Sequence, residues 1–207
     1  GYKTIFTGNP CSEEALKKSA IPKSNYGLSK EKKLVLIVMG SLGSSKVNDY
    51  LVNTMSLFNG KNYEILFVTG KGSYDSVSKN KFPSNVHVVP YVDGMTGLMK
   101  NTDLIVSRAG ASTMSEIIAL GLPSILIPSP YVANNHQYKN ALDLVNSNAS
   151  VMIEEKNLKG DILVRQIDII LNDEKKIKEM KKNLKAMLIS NSASLIYEGV
   201  KNLVDRK

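Results

Sequence analysis

The chain has 207 residues, enough for one ordinary domain or two small ones, and its 43% hydrophobic and 22% charged residues are a globular balance that argues against wholesale disorder. A single cysteine, Cys11, excludes a disulfide framework and a cysteine-rich zinc site, and two histidines, His87 and His136, make no histidine cluster. The net charge of +8 sits mostly at the ends: seven Lys against three Glu in residues 1–33, eight basic against seven acidic in 34–150, and twelve against nine in 151–207.

That distribution excludes several function classes. A nucleic-acid binder interleaves its basic stripe with aromatics. The Lys-rich stretch Lys175–Lys185 contains none, so it reads as a solvated helix face, with an anionic membrane surface as the sharper alternative. No apolar run approaches the roughly 18–20 residues of a spanning helix, and no basic region followed by an apolar stretch opens the chain as a signal peptide does. The lone cysteine fits a reducing, cytoplasmic setting. The first residue is Gly rather than Met, which points to a piece of a longer protein.

Along the chain, residues 1–33 are expected to hold a short extended piece at Thr4–Thr7, a Gly-Asn-Pro turn at 8–10, a short helix near Glu13–Lys18, and a polar linker up to Lys33. Strands are expected at Leu34–Met39, Ile65–Thr69, Val86–Val89, Leu104–Ser107, Ser124–Ile127 and Ser150–Ile153. They are short and apolar on successive residues, the pattern of parallel strands covered on both faces. Helical stripes fall between them at Val47, Tyr50, Leu51, Met55 and Phe58, at Met114, Ile117, Ile118 and Leu120, and at Ala141, Leu144 and Val145. After the last strand only helices follow, on Ile162–Ile170, Ile177–Met187 and Ser192–Arg206. The alternation predicts an α/β domain, a doubly wound parallel sheet of about six strands with helices on both faces, over residues 34–207.

Ligands of such a sheet bind beyond the carboxyl ends of the strands, where four loops stand out. Gly40-Ser41-Leu42-Gly43-Ser44-Ser45 joins a strand to a helix with residues small enough for backbone amides to meet an anion. It matches neither a dinucleotide fingerprint nor a Walker A loop. Its outline, with Asp93 or Asp103 and then His136, also resembles a hydrolase nucleophile elbow, but Met39 stands where that turn needs a first Gly. Ser107-Arg108-Ala109-Gly110-Ala111-Ser112-Thr113 makes a second such turn. Glu116, three residues after Thr113, fits a capping box, and it also fits a carboxylate that accepts from two ribose hydroxyls. The spacing alone favours the capping box. In the third loop, His136, Gln137 and Asn140 lie near a helix start, and neutral amides suit sugar hydroxyls. The fourth, Pro90–Met95, offers backbone groups to a planar base. No Asp-x-Asp pair occurs, so a metal-bridged diphosphate lacks its usual acidic ligands.

Together, FTGNP at 6–10, VMGSLGSSKVN at 38–48, FVTGKGSY at 67–74, VVPYVDGM at 88–95, the stretch from DLIVSRAGASTMSEIIALG to LPSILIPSP at 103–130 and VANNHQYKNA at 132–141 resemble the MurG family of glycosyltransferases. That resemblance implies the C-terminal, donor-binding half of a two-domain GT-B enzyme that transfers N-acetylglucosamine (GlcNAc) from UDP-GlcNAc to lipid I, giving lipid II for peptidoglycan. It implies no cofactor and no metal, peripheral contact with the inner face of the cell membrane, and an acceptor site and catalytic base in an N-terminal domain that this chain does not match. Residues 1–33 would then be the interdomain segment. Among site residues, it implies Val92 for uracil, Glu116 for the ribose, and Ser41, Ser112 and Thr113 for the diphosphate. Ala111, Gln137 and Asn140 would read the GlcNAc hydroxyls, with His136 beside them and Asn9 in the Gly-Asn-Pro turn. The basic residue that some members carry after that turn is replaced here by Cys11-Ser12-Glu13. A stand-alone nucleotide-sugar-binding subunit and another GT-B enzyme, a diacylglycerol glycosyltransferase or a UDP-GlcNAc 2-epimerase, are the alternatives.

Overall fold

Six apolar segments form parallel strands: β1 (Lys33–Val38), β2 (Tyr63–Val68), β3 (Val86–Val89), β4 (Leu104–Ser107), β5 (Ser124–Leu126) and β6 (Val151–Met152). The computed structural model describes residues 4–5, 7–40 and 44–205. The strand order is β3-β2-β1-β4-β5-β6, so the chain leaves the sheet's centre at β1, runs to one edge, and returns to β4 beside β1. The helices are α1 (Cys11–Lys17), α2 (Ser45–Thr54), α3 (Lys71–Val77), α4 (Met95–Met99), α5 (Ala111–Leu120), α6 (His136–Asn146), α7 (Ile162–Leu171), α8 (Glu174–Met187) and α9 (Ser192–Val204).

Successive strand residues point to opposite faces, and the core divides accordingly. Val35, Ile37, Ile65, Phe67, Leu104 and Val106 pack with Val47 and Leu51 of α2 and with Leu163, Ile167 and Ile170 of α7. Leu34, Leu36, Leu66, Val68 and Ile105 pack with Leu98 of α4, Met114 and Ile117 of α5, and Ala141 and Leu144 of α6. Both faces are buried, which is why these strands read as unbroken apolar runs rather than alternating ones.

Two helices were not expected. α3 buries only Val77, and α4 spans five residues, so neither carries an apolar stripe long enough to show a 3.6-residue period. The stripe from Val47 to Phe58 is divided: α2 ends at Thr54 and a 3₁₀ turn, Met55–Phe58, completes it. α5 stops where its sequence says it should, at Gly121 in the left-handed region (φ +57°), with Leu122 N–H bonded back to Ile117 O at 3.0 Å. The Lys-rich α8 turns its lysines outward and buries Met180 and Leu184.

The segment around α1 meets the start of α9. The Ala193 amide at the start of α9 donates to Glu13 Oε1 of α1 at 2.9 Å. Gly8 (φ +70°) passes so close to Ser192 that a Cβ would lie 2.6 Å from its Oγ. α9 nevertheless leaves much of its apolar stripe exposed: Tyr197 is 69% and Leu203 70% accessible. No helix of the described residues is long and apolar enough to cross a membrane.

At the amino edge of the sheet, Asp168 of α7 accepts from the Tyr63 hydroxyl at 2.9 Å and from Lys61 Nζ at 2.6 Å. Burial, and then the adjoining Asp168 carboxylate, push the Tyr63 phenol well above its ordinary 10.0. The unfolded phenol ionises near that ordinary value and the folded one only at higher pH. The stability this residue contributes is therefore complete below about pH 10 and is lost as pH rises beyond it. We expect urea-denaturation stability to fall above about pH 10, with Tyr63 contributing a slope of up to about 1.4 kcal/mol per pH unit. Tyr63→Phe should remove that share, and parallel pH profiles for the two chains would refute the assignment.

Candidate functional site

All the strands run the same way, so the loops from strand to helix gather at one edge. β1 leads into α2 on one face and β4 into α5 on the other, and the crevice between these neighbouring strands is the topological switch point. A cavity of about 340 Å³ opens there. It is lined by Val38 at the end of β1 with Met39 and Gly40 after it, Val68 at the end of β2 with Gly70 after it, Pro90, Tyr91 and Val92 after β3, and Met95 and Met99 of α4. Ile105, Ser107, Arg108, Gly110, Thr113 and Glu116 of β4, its turn and α5, with Gln137 of α6, complete it.

Four residues singled out from the sequence therefore line one cavity: Val92, Thr113, Glu116 and Gln137. Asn9, Ala111 and Asn140 line a second groove of about 410 Å³ that begins one residue past Gly110. Ser112 and His136 are exposed and line neither, although both stand on first helical turns at the same edge. Ser41 lies outside the described residues. The hydrolase-like arrangement does not form on Asp103, which accepts from the Leu34 amide at 2.8 Å at the opposite, amino end of the strands.

The capping box is corrected. α5 begins at Ala111 on an N-cap of Gly110, which puts Thr113 inside the helix and Glu116 a turn further on. Glu116 does not turn back to cap. Its Oε1 accepts from the Thr96 hydroxyl of α4 at 2.7 Å, and its side chain lines the cavity. The first helical bond of α5 comes from the Met114 amide to Gly110 O at 2.9 Å. The amides of Ala111, Ser112 and Thr113 precede it, and a glycine cap has no side chain to satisfy them. They remain as anion donors at the positive end of the helix dipole.

α6 starts after two residues in the left-handed region, Asn134 and Asn135 (φ 53° each), a conformation that asparagine tolerates better than most residues. That turn places Gln137 so that its Oε1 accepts from the Ser129 amide at 2.9 Å, which leaves its Nε2 donors for a ligand. Asn140 Nδ2 donates to Ala109 O at 3.0 Å and ties α6 to the β4–α5 turn. His136 Nδ1 lies 2.9 Å from Ala133 O.

The sequence pattern assigns Arg108 no role beyond its loop, although an arginine directly after a buried strand needs a partner. Its Nη1 donates to Ile127 O at 3.0 Å, and its Nη2 to Ser44 Oγ at 2.8 Å and Glu155 Oε2 at 2.6 Å. The side chains are 11% and 2% exposed, so this is a desolvated ion pair joining the starts of α2 and α5 to the end of β5. Arg108 is the one basic residue among the described residues lining the cavity, and Glu155 neutralises it. At the rim, Lys71 Nζ sits 5.3 Å above the Tyr91 ring. A neighbouring cleft of about 420 Å³ holds Lys46 and Lys156, but each has a carboxylate beside it, Glu155 at 3.6 Å and Glu154 at 3.0 Å.

Residues 34–196 match the family described as the glycosyltransferase family 28 C-terminal domain. The chain belongs to that family. A UDP-N-acetylglucosamine–N-acetylmuramyl-(pentapeptide) pyrophosphoryl-undecaprenol N-acetylglucosamine transferase of Bacillus cereus is 43% identical over 209 residues, covering 99% of this chain and 57% of the relative. The enzyme of the same name from Acetivibrio thermocellus is 40% identical over 211 residues, again covering 99% and 57%. Among solved structures, Acinetobacter baumannii MurG superposes with a TM-score of 0.71 at 21% identity, over 89% of this chain and 52% of that one. A putative UDP-N-acetylglucosamine 2-epimerase from Listeria monocytogenes shares the fold at a TM-score of 0.66 and 12% identity, over 97% and 54%. The family 28 chain thus spans a little over half the length of the curated relatives it matches.

The buried pair makes a stability prediction. Glu155→Ala leaves Arg108 charged and uncompensated inside the fold and should cost about 3–5 kcal/mol in chemical denaturation. Glu154→Ala, which removes the partner of an exposed Lys156, should cost less than about 1 kcal/mol. Equal losses would contradict the desolvated pair.

Proposed function

We propose that this family 28 domain is the donor-binding part of a glycosyltransferase that moves GlcNAc from UDP-GlcNAc to lipid I, forming lipid II in peptidoglycan biosynthesis. The observation that carries the reading is the convergence of Glu116 with Gly110 and Thr113, at the uncapped start of α5, on one cavity at the switch point. Glu116 accepts from the ribose hydroxyls. Val92, in the lining after β3, offers its backbone to uracil. The amides of Ser112 and Thr113 hold the diphosphate, with Ser41 from the loop before α2. Gln137, Asn140 and the Ala111 amide read the GlcNAc hydroxyls, with His136 and Asn9 at the margin.

The chemistry follows from where charge develops. A lipid I hydroxyl attacks the anomeric carbon, the glycosidic C–O bond breaks with inversion, and negative charge appears on the departing UDP. Preorganised amides at a helix N-terminus stabilise that charge without reorganising. Orientation and deprotonation of the acceptor fall to the part of the full-length enzyme that this chain does not match. So does peripheral contact with the cytoplasmic face of the membrane. The names of the 40–43% identical relatives support the reaction and its substrates.

Titration calorimetry on the chain tests the reading. UDP-GlcNAc and UDP should bind and ADP should bind at least about tenfold more weakly, since purine and uracil present different edges to fixed backbone groups. Glu116→Ala and Gln137→Ala should each weaken UDP-GlcNAc by roughly tenfold, as expected when a hydrogen bond to a charged or buried group is lost. Equal affinity for ADP and UDP, or no binding at millimolar ligand, would overturn it.

A further inference from the structure

Glu116 lines the cavity, and its carboxylate is held by a residue that does not. Thr96, the second residue of α4, donates its hydroxyl to Glu116 Oε1 at 2.7 Å, a well-formed O–H···O bond. Both residues are half-buried. α4 and α5 are twenty residues apart in sequence at this contact. Apart from this bond, Leu98 and Met99 of α4 and Met114 and Ile117 of α5 belong to the same buried apolar cluster. α4 is further pinned at Gly97, whose carbonyl accepts from the Ile21 amide at 2.9 Å and where a Cβ would come within 2.6 Å of Ser19 O. The donor to Glu116 thus sits next to a backbone position fixed by a hydrogen bond and a close approach.

A glutamate on a helix has three side-chain torsions, and its carboxylate sweeps a wide arc unless something holds it. A carboxylate offers two oxygens and about four lone-pair directions. With Oε1 engaged by Thr96 on one side, its remaining acceptor positions keep a set orientation toward the cavity. That is what a pair of adjacent ribose hydroxyls needs, since both must donate at once. We propose that Thr96 is a positioning residue that holds Glu116 in the orientation that accepts the two ribose hydroxyls, and so sets how strongly the site prefers a ribonucleotide. The inference rests on the assignment of Glu116 to the ribose.

The test uses calorimetry on the chain with two ligands, UDP and 2′,3′-dideoxy-UDP, the second lacking both hydroxyls. The wild-type chain should prefer UDP. Thr96→Val, which removes the hydroxyl and keeps the shape, should weaken UDP roughly three- to tenfold, the cost of ordering one freed side chain on binding. It should leave the dideoxy ligand within about twofold, because that ligand makes no demand on the carboxylate. Thr96→Ser, which restores the hydroxyl, should recover most of the loss. In a Glu116→Ala background, Thr96→Val should change nothing further. A Thr96→Val chain that binds UDP as well as wild type, while Glu116→Ala does not, overturns the role of Thr96 and leaves the ribose assignment standing. Equal weakening of both ligands shows a merely structural contact and also overturns it. A Glu116→Ala chain that retains the full preference for UDP over the dideoxy ligand removes the ribose assignment, and this inference with it.

Discussion

Parallel pairing imposes the constraint from which the rest follows. When every strand runs the same way, every strand-to-helix turn, and therefore every helix N-terminus that follows a strand, lies at one edge of the sheet. Each of those termini carries amides with no partner inside the helix. In most folds a Ser, Thr, Asp or Asn side chain satisfies some of them. Here α5 opens on Gly110, and neither α2 nor α6 takes a side-chain cap. The donors that a cap would have consumed are kept at the point where the chain reverses its direction across the sheet.

Holding several such termini together is an electrostatic problem, and the domain solves it with one guanidinium. Arg108 reaches Ser44, Ile127 and Glu155, residues drawn from three separate connections. The planar fork of an arginine suits this better than a lysine would, because it donates in fixed directions to several acceptors at once. The pairing with Glu155 also cancels its charge. On the proposed reading, the anion meets neutral amides whose positions the backbone sets, and the buried Arg108 contributes no net charge.

How much of this could be read without coordinates differs from element to element. The six strands are legible within a residue or two, because burial on both faces leaves short, β-branched-rich apolar runs between turn residues. The end of α5 was legible from Gly121 and Pro123, and the outward lysines of α8 from its stripe of Ile177, Met180 and Leu184. α3 and α4 were not found, since a helix that buries one residue or spans five carries no periodic signal. That omission spread to the site. Without α4, Thr96 had no location, and Thr-x-x-Glu at 113–116 was most simply read as a local cap. The string Gly110–Thr113 admits more than one helix start, and the true start at Ala111 moved Thr113 and Glu116 out of capping register.

The amino-acid sequence by itself determined the class of fold, the succession of its strands and longer helices, and the loops that would carry a ligand, because these depend on local periodicity and on turn residues close along the chain. It also carried the family resemblance through which residues as far apart as Val92 and Gln137 were named. Only the tertiary structure decided which of the named residues share a cavity, that Glu116 faces Thr96 rather than its own helix start, and that Arg108 is paired with Glu155. Those facts depend on side-chain directions and on contacts between residues twenty to sixty-four positions apart. Such distances are set by how helices pack on a twisted sheet, and no pattern of neighbouring letters encodes them.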